Sequence, residues 1–185
     1  GYLCLASHFH RDEIDLLRST AKEDRELENH AFKKSDGQGY PVSLSVWNHP
    51  GDDIYGMFAR CRRVVDAAEQ ILGDEPYHYH SKMIMKEAGI GGAWSWHQDY
   101  GYWYHNGILR PQLTSCFIAV DAATERNGCL QVIPESHTMG RLEHRRVGQQ
   151  AEVEPERMRA VLENFRVEHI VMRPGDVLFL SLIHI

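Results

Sequence analysis

Apolar residues fall first at helical and later at alternating spacing along this chain. Gly1-Tyr2-Leu3-Cys4-Leu5 is a short apolar run that predicts a strand. From Arg11 to Lys22, Ile14, Leu17 and Ala21 recur at helical intervals, and Asp12 and Glu13 sit in the first turn, where the helix dipole favours acids. The charged stretch from Asp24 to Tyr40, closed by Asp36-Gly37-Gln38-Gly39, reads as a loop. Beyond Asp52, residues Ile54, Met57, Phe58, Cys61, Val64, Val65, Ala68, Ile71 and Leu72 repeat at three and four. This predicts one long helix, capped by Asp52 or Asp53 and stopped by Gly73.

After Pro76 the period changes from helical to alternating. Tyr77 to Met85 places His78, His80, Lys82 and Ile84 on one side and Tyr79, Ser81, Met83 and Met85 on the other, a strand that Lys86 ends. Gly89, Gly91 and Gly92 read as a hairpin-like link into a Trp-rich strand over 93–103. Further strands are predicted over Leu113 to Val120, Cys129 to Ile133, Val167 to Met172 and from Val177 to Phe179. Turns are predicted at Arg126-Asn127-Gly128 and Arg173-Pro174-Gly175-Asp176. His137 to Gln150 is polar and irregular, and Glu154 to Phe165 is a helix with Pro155 near its start. Helices first and short-turned strands afterwards point to an antiparallel barrel or jelly roll with flanking helices, mostly β.

Composition narrows the function classes. A chain of 185 residues, 43% hydrophobic and 25% charged, suits one domain, placed here at residues 1–179. A net charge of −6 lacks the basic face that nucleic acid requires, and no apolar run is long enough to span a membrane. A small-molecule partner is the expectation that remains, with oligomeric state left open. Cys4, Cys61, Cys116 and Cys129 show no C-x-x-C spacing, so they read as reduced thiols in a cytoplasmic protein. Gly1 reads as an internal start.

Candidate chemistry concentrates in Ala93-Trp94-Ser95-Trp96-His97-Gln98-Asp99-Tyr100-Gly101-Tyr102-Trp103. On an extended segment His97 and Asp99 project to one face and Gln98 to the other. One imidazole and one carboxylate make two thirds of the facial triad that suits non-haem Fe(II). With 12 histidines and 11 aspartates in 185 residues, a chance H-x-D arises roughly 0.7 times, so the pair gains weight only from its setting. Two alternatives stay open on the residues alone: a zinc hydrolase site using the same pair, and a cupin-like barrel that binds a ligand or metal without catalysis.

Four motifs occur in a fixed order: Trp96-His97-Gln98-Asp99, Asn127-Gly128-Cys129-Leu130-Gln131-Val132, Ser136-His137 and Pro174-Gly175-Asp176. With them the chain resembles the phytanoyl-CoA dioxygenase family of Fe(II)/2-oxoglutarate oxygenases, in its ectoine-hydroxylase-like branch. The resemblance implies a double-stranded β-helix and hydroxylation of a small metabolite with Fe(II), 2-oxoglutarate and O2. It implies that His97 and Asp99 hold the metal together with a later histidine, and that Lys86 meets the far carboxylate of 2-oxoglutarate. Tyr100 and Trp103 become substrate-pocket candidates. Phe117 falls where relatives face the cosubstrate, and His80 replaces a substrate-binding glutamine of ectoine hydroxylases, which argues against ectoine itself. The later histidine and a 2-oxoglutarate-binding arginine are expected beyond Phe179. Leu180-Ser181-Leu182-Ile183-His184-Ile185 reads instead as the translated end of a transposon sequencing adapter, which would make the chain a C-terminally truncated fragment and His184 a foreign residue.

Overall fold

The structure is a computed structural model that describes residues 1–35, 40–86 and 92–185. Strand β1 (Tyr2–Leu5) is followed by α1 (Arg11–Glu23), α2 (Arg25–Asn29), β2 (Phe32–Ser35), β3 (Pro41–Trp47), α3 (Ile54–Arg60), α4 (Arg62–Leu72) and β4 (Ser81–Met85). Then come α5 (Asp99–Trp103), β5 (Thr114–Ile118), β6 (Leu130–Val132), β7 (His144–Val147), β8 (Gln150–Val153), α6 (Pro155–Asn164), β9 (Glu168–Ile170) and β10 (Val177–Ser181). Among the described residues these strands form antiparallel sheets in the orders β1-β10-β5, β2-β3-β4, β6-β9 and β7-β8.

The period of two in β10 and β5 decides what each side of their sheet covers. Leu178 and Leu180, with Phe117 and Ala119, turn toward Val132, Leu130 and Ile170 of β6-β9. Val177 and Phe179, with Cys116 and Ile118, turn toward Phe9, Ile14 of α1, Phe58 of α3 and Val64 and Ala67 of α4. The sheet is thus a shared wall, with a second sheet on one face and helices on the other. Each fully buried aliphatic or aromatic side chain here contributes about 1.5–3 kcal/mol. A third cluster, Ile133, Val153, Met158, Val161 and Ile185, seats α6 against β8. Leu182, His184 and Ile185 are buried with it or beside it.

Several predicted elements change form. The loop predicted over 24–40 contains α2 and β2. Asp24 caps α2 by accepting from Leu27 N at 3.0 Å, and β2 pairs with β3, so the alternation lost among lysines is restored by a partner strand. The single helix predicted from Asp52 is two, broken at Cys61, whose backbone is extended (φ −65, ψ 145). Val64 and Val65 both donate to the Cys61 carbonyl at 3.0 Å, restarting the helix. The apolar stripe runs unbroken across the gap because periodicity records the buried face, not the continuity of the backbone between turns. Asp53 supplies the expected cap, accepting from Gly56 N at 2.8 Å, and Gly73 takes the left-handed stop. Only Ser81–Met85 of the strand predicted from Tyr77 pairs with a neighbour. The irregular stretch after His137 holds the β7-β8 hairpin. The glycine link at Gly89 and Gly91 lies outside the described residues.

The predicted turn at 173–176 closes with Asp176 N donating to the Arg173 carbonyl at 3.0 Å. Gly175 is required there, at φ +93, because a Cβ would come within 2.5 Å of the Phe9 carbonyl oxygen.

A candidate metal centre beside an open cleft

The Trp-rich segment is not a strand. Residues 92–98 run without a sheet partner, and Asp99 opens the short helix α5. His97 and Asp99 converge nonetheless, because Gln98 between them is extended (φ −101, ψ 128). His97 Nε2 lies 3.2 Å from Asp99 Oδ1. His97 Nδ1 donates to the Ser95 carbonyl at 2.6 Å, which fixes the ring's orientation and turns Nε2 toward Asp99. The Tyr102 hydroxyl donates to Asp99 Oδ1 from one turn along α5. The two side chains are 28% and 13% exposed, so a small ion can reach them.

Charge within the pair is mutually supported. Burial works to lower the His97 pKa, but the Asp99 carboxylate and the Ser95 carbonyl outweigh it and raise it above the ordinary imidazole value. Burial likewise opposes ionisation of Asp99, yet His97, Lys82 and Tyr102 hold its carboxyl far below the usual range. The Tyr102 phenol is pushed well up by burial and by Asp99, so it remains a hydrogen-bond donor.

Gln98, fully buried, turns away from the pair as its register predicts. Its amide nitrogen donates to the carbonyls of Gly140 (2.9 Å) and Ile183 (2.7 Å), its oxygen accepts from Leu142 N (2.8 Å), and its backbone N–H donates to His144 Nε2 (2.9 Å). His144 in turn donates from Nδ1 to the Leu142 carbonyl at 2.9 Å. The buried Gln150 spans the segment's start, accepting from Ser95 N at 3.0 Å and donating to the Ala93 carbonyl at 3.1 Å. Gly101 admits the His144 ring, since a Cβ there would come within 2.1 Å of it.

The other sequence candidates are distributed unevenly. Trp103 does not line the cleft itself but packs against two of its lining residues, its ring 5.0 Å from Tyr79 and 5.5 Å from His80, and lies 5.2 Å from Tyr102. Tyr100 is 4% exposed, its ring edge-on to Tyr104 and its N–H bonded to the Leu182 carbonyl, which gives it a packing position rather than a pocket one. Lys86 is exposed and donates from Nζ to the Gly128 carbonyl at 3.2 Å. Phe117 belongs to the inter-sheet core, with Lys82 Nζ 5.9 Å from its ring centroid. His184 does not approach the metal pair. It stacks on His137 (centroids 6.0 Å, planes 12° apart) and meets Tyr2 edge-on. Among the described residues no group of three or more histidine, cysteine, aspartate or glutamate side chains is gathered for a metal.

An open cleft of about 1550 Å³ runs between the helices and the β4 and β5 strands, lined among others by His80, Lys82, Lys86 and Phe117. The pair lies beside this cleft, not among its lining residues. Sequence reasoning placed His144 and Gln150 only in a polar, irregular stretch and assigned no site role to Tyr102. Lys82 was legible only as a face-mate of His80.

A family model described as phytanoyl-CoA dioxygenase matches residues 1–184. The chain belongs to the phytanoyl-CoA dioxygenase family. Among curated members it is 40% identical over 96 residues to the L-proline trans-4-hydroxylase of Streptomyces griseoviridis, covering 51% of this chain and 36% of that protein. It is 30% identical over 143 residues to the ectoine dioxygenase of Bordetella bronchiseptica, covering 74% of this chain and 46% of that protein. The chain thus spans less than half the length of these two relatives. The crystal structure of EctD from S. alaskensis with 2-oxoglutarate and 5-hydroxyectoine superposes with a TM-score of 0.82 at 23% identity, over all of this chain and 64% of that one. The fold is therefore the jelly roll of these oxygenases, as the sequence predicted. No helix among the described residues is long and apolar enough to cross a membrane.

Proposed function

We propose that the protein containing this chain is an Fe(II)- and 2-oxoglutarate-dependent dioxygenase that hydroxylates an unactivated C–H bond of a small metabolite, as a cytoplasmic enzyme. The observation that carries this reading is the His97–Asp99 pair, one imidazole nitrogen and one ionised carboxylate oxygen 3.2 Å apart, with the second imidazole nitrogen tied to a backbone carbonyl. That donor set and outer hydrogen bond are those of a metal-ligating imidazole and carboxylate. It fits ferrous ion, and the family supplies the reaction class.

Bound there with 2-oxoglutarate and O2, the iron supplies the oxidative chemistry by which substrate R–H, 2-oxoglutarate and O2 become R–OH, succinate and CO2. The chain's own residues place and protect. His97 and Asp99 present the ligand atoms, Tyr102 holds Asp99 in one orientation, and Gln98 and His144 fix the backbone beneath them. Lys86 offers its ammonium to the distal carboxylate of the cosubstrate, and Trp103 closes the substrate side. The third protein ligand and a second cosubstrate cation are expected from other residues of the parent protein.

Anaerobic addition of Fe(II) and 2-oxoglutarate to the parent protein tests this. A visible charge-transfer band, followed by succinate release on admitting oxygen, is the expected result. Both signals should vanish in His97→Ala and Asp99→Ala. A protein that shows neither signal, or variants that keep both, would refute the assignment.

A further inference from the structure

A run of aromatic rings leads from the metal pair to the cleft. Between ring centroids, His97 lies 6.2 Å from Tyr102, Tyr102 5.2 Å from Trp103, and Trp103 5.0 Å from Tyr79. The run starts at a hydroxyl that donates to Asp99 and ends at Tyr79, which is 39% exposed and lines the cleft. Packing alone does not account for the residue types. Phenylalanine packs on both faces of the β10 wall, Phe117 on one and Phe9, Phe58 and Phe179 on the other, yet every ring of the run after His97 is tyrosine or tryptophan. A phenyl ring yields an electron only to extreme oxidants. An indole yields one far more easily, as does a phenol whose proton has somewhere to go, and Tyr102 has Asp99 for that purpose. All three separations fall within about 4.5–7 Å, the range of ring pairs in contact, so each gap is short enough for an electron to tunnel.

We propose that Tyr102, Trp103 and Tyr79 form a one-electron relay that discharges an iron-borne oxidant arising at the metal pair when oxygen is reduced there without substrate. The proposal goes beyond the dioxygenase reading and rests on it for the source of the oxidant. Tyr102 gives one electron to the oxidant, and its phenolic proton shifts along the hydrogen bond to Asp99 Oδ1. Trp103 then gives an electron to Tyr102, whose proton returns, and the indole is left as a radical cation. Tyr79 reduces that cation and releases its own proton to water. The balance is one electron and one proton lost from the Tyr79 phenol. The neutral tyrosyl left at the cleft is restored by hydrogen-atom transfer from a thiol.

Pulse radiolysis of the metal-free full chain with azide radicals, which oxidise tryptophan first, tests the relay without iron; a nitrone trap and peptide mapping locate the radical. Tryptophanyl absorption should convert to tyrosyl absorption at a rate independent of protein concentration, and the trap should mark Tyr79. Trp103→Phe should abolish that mark, and Tyr79→Phe should remove part of the conversion. Tyr55→Phe removes the partner of Trp47, 5.5 Å away, and should leave the Tyr79 mark unchanged. An unmarked Tyr79, a mark unmoved by Trp103→Phe, or a conversion rate that scales with concentration overturns the proposal. If Trp103→Phe fails to fold, the mark and the concentration dependence of the unaltered chain still decide. The parent protein given Fe(II), 2-oxoglutarate and O2 but no substrate should carry the same mark, and its Tyr79→Phe variant should lose activity faster under those conditions. A charge-transfer band without that mark overturns the relay. A relay in the metal-free chain, in a parent without the band, counts against the dioxygenase reading alone.

Discussion

Strand β10 and the segment from Gly92 to Trp103 are held in place by opposite means. Val177, Leu178 and Phe179 are almost wholly buried, and the strand is bonded on both edges by β1 and β5. Its position follows from apolar side chains alternating between two cores, a pattern many sequences satisfy. The segment carrying His97 and Asp99 has no strand partner and is fixed by side-chain amides bonding to backbone groups, Gln98 at one end and Gln150 at the other. Apolar burial is proportional to area and forgiving of detail. A hydrogen bond from one buried amide to three named backbone atoms is satisfied by almost nothing else. The scaffold is therefore tolerant and the site exacting.

Substitutions in the two regions break or sharpen that contrast. Phe179→Ala opens a cavity in the helix-facing core and should cost about 3–5 kcal/mol in denaturant unfolding, whereas Phe179→Leu should cost far less. Gln98→Leu preserves size but strands the Gly140 and Ile183 carbonyls and the Leu142 N–H. It should cost at least about 3 kcal/mol, at about 1–3 for each of these three buried unpaired groups. If instead it is as mild as Phe179→Leu, the contrast fails. Tyr102→Phe removes the hydroxyl that orients Asp99 and should weaken divalent-metal binding about 10–100-fold with little change in melting temperature. The smallest effect is at the surface. Glu13 lies between Arg63 and the start of α1, and the Arg63 hydrogen bond, helped by the His10 N–H, holds its carboxyl at about 2. A depressed carboxyl stabilises the fold above its ordinary value of 4.5 and loses that contribution as pH falls toward about 2. Thermal melts of Glu13→Gln should lack this acid-dependent component, which is small because both side chains are more than a third exposed.

The same contrast explains what was legible in the sequence. The alternation Val177-Leu178-Phe179, the stripe from Ile54 to Leu72 and the turn at Pro174-Gly175 are short-range patterns set by burial and backbone geometry, and they located the strand, the helical face and the turn. His97 and Asp99 were legible as a pair because a single extended residue between them suffices to align them, whether or not a sheet is present. The placement of Gln98, His144 and Gln150 was not legible, since their partners lie more than forty residues away and polar residue types carry no period. The break at Cys61 was hidden for a different reason: the buried stripe is continuous across it.

The bond from the Gln98 N–H to His144 Nε2 makes one imidazole lone pair part of the floor beneath the metal pair. Burial, the larger influence, pushes that imidazole below its ordinary value of 6.5, and the Leu142 carbonyl only partly offsets it. A proton taken up there would occupy the acceptor itself. The hairpin bearing His144 is thus a latch that stays fastened while its ring is uncharged, and the bond to the Gln98 N–H should be lost only at pH below the ordinary imidazole range.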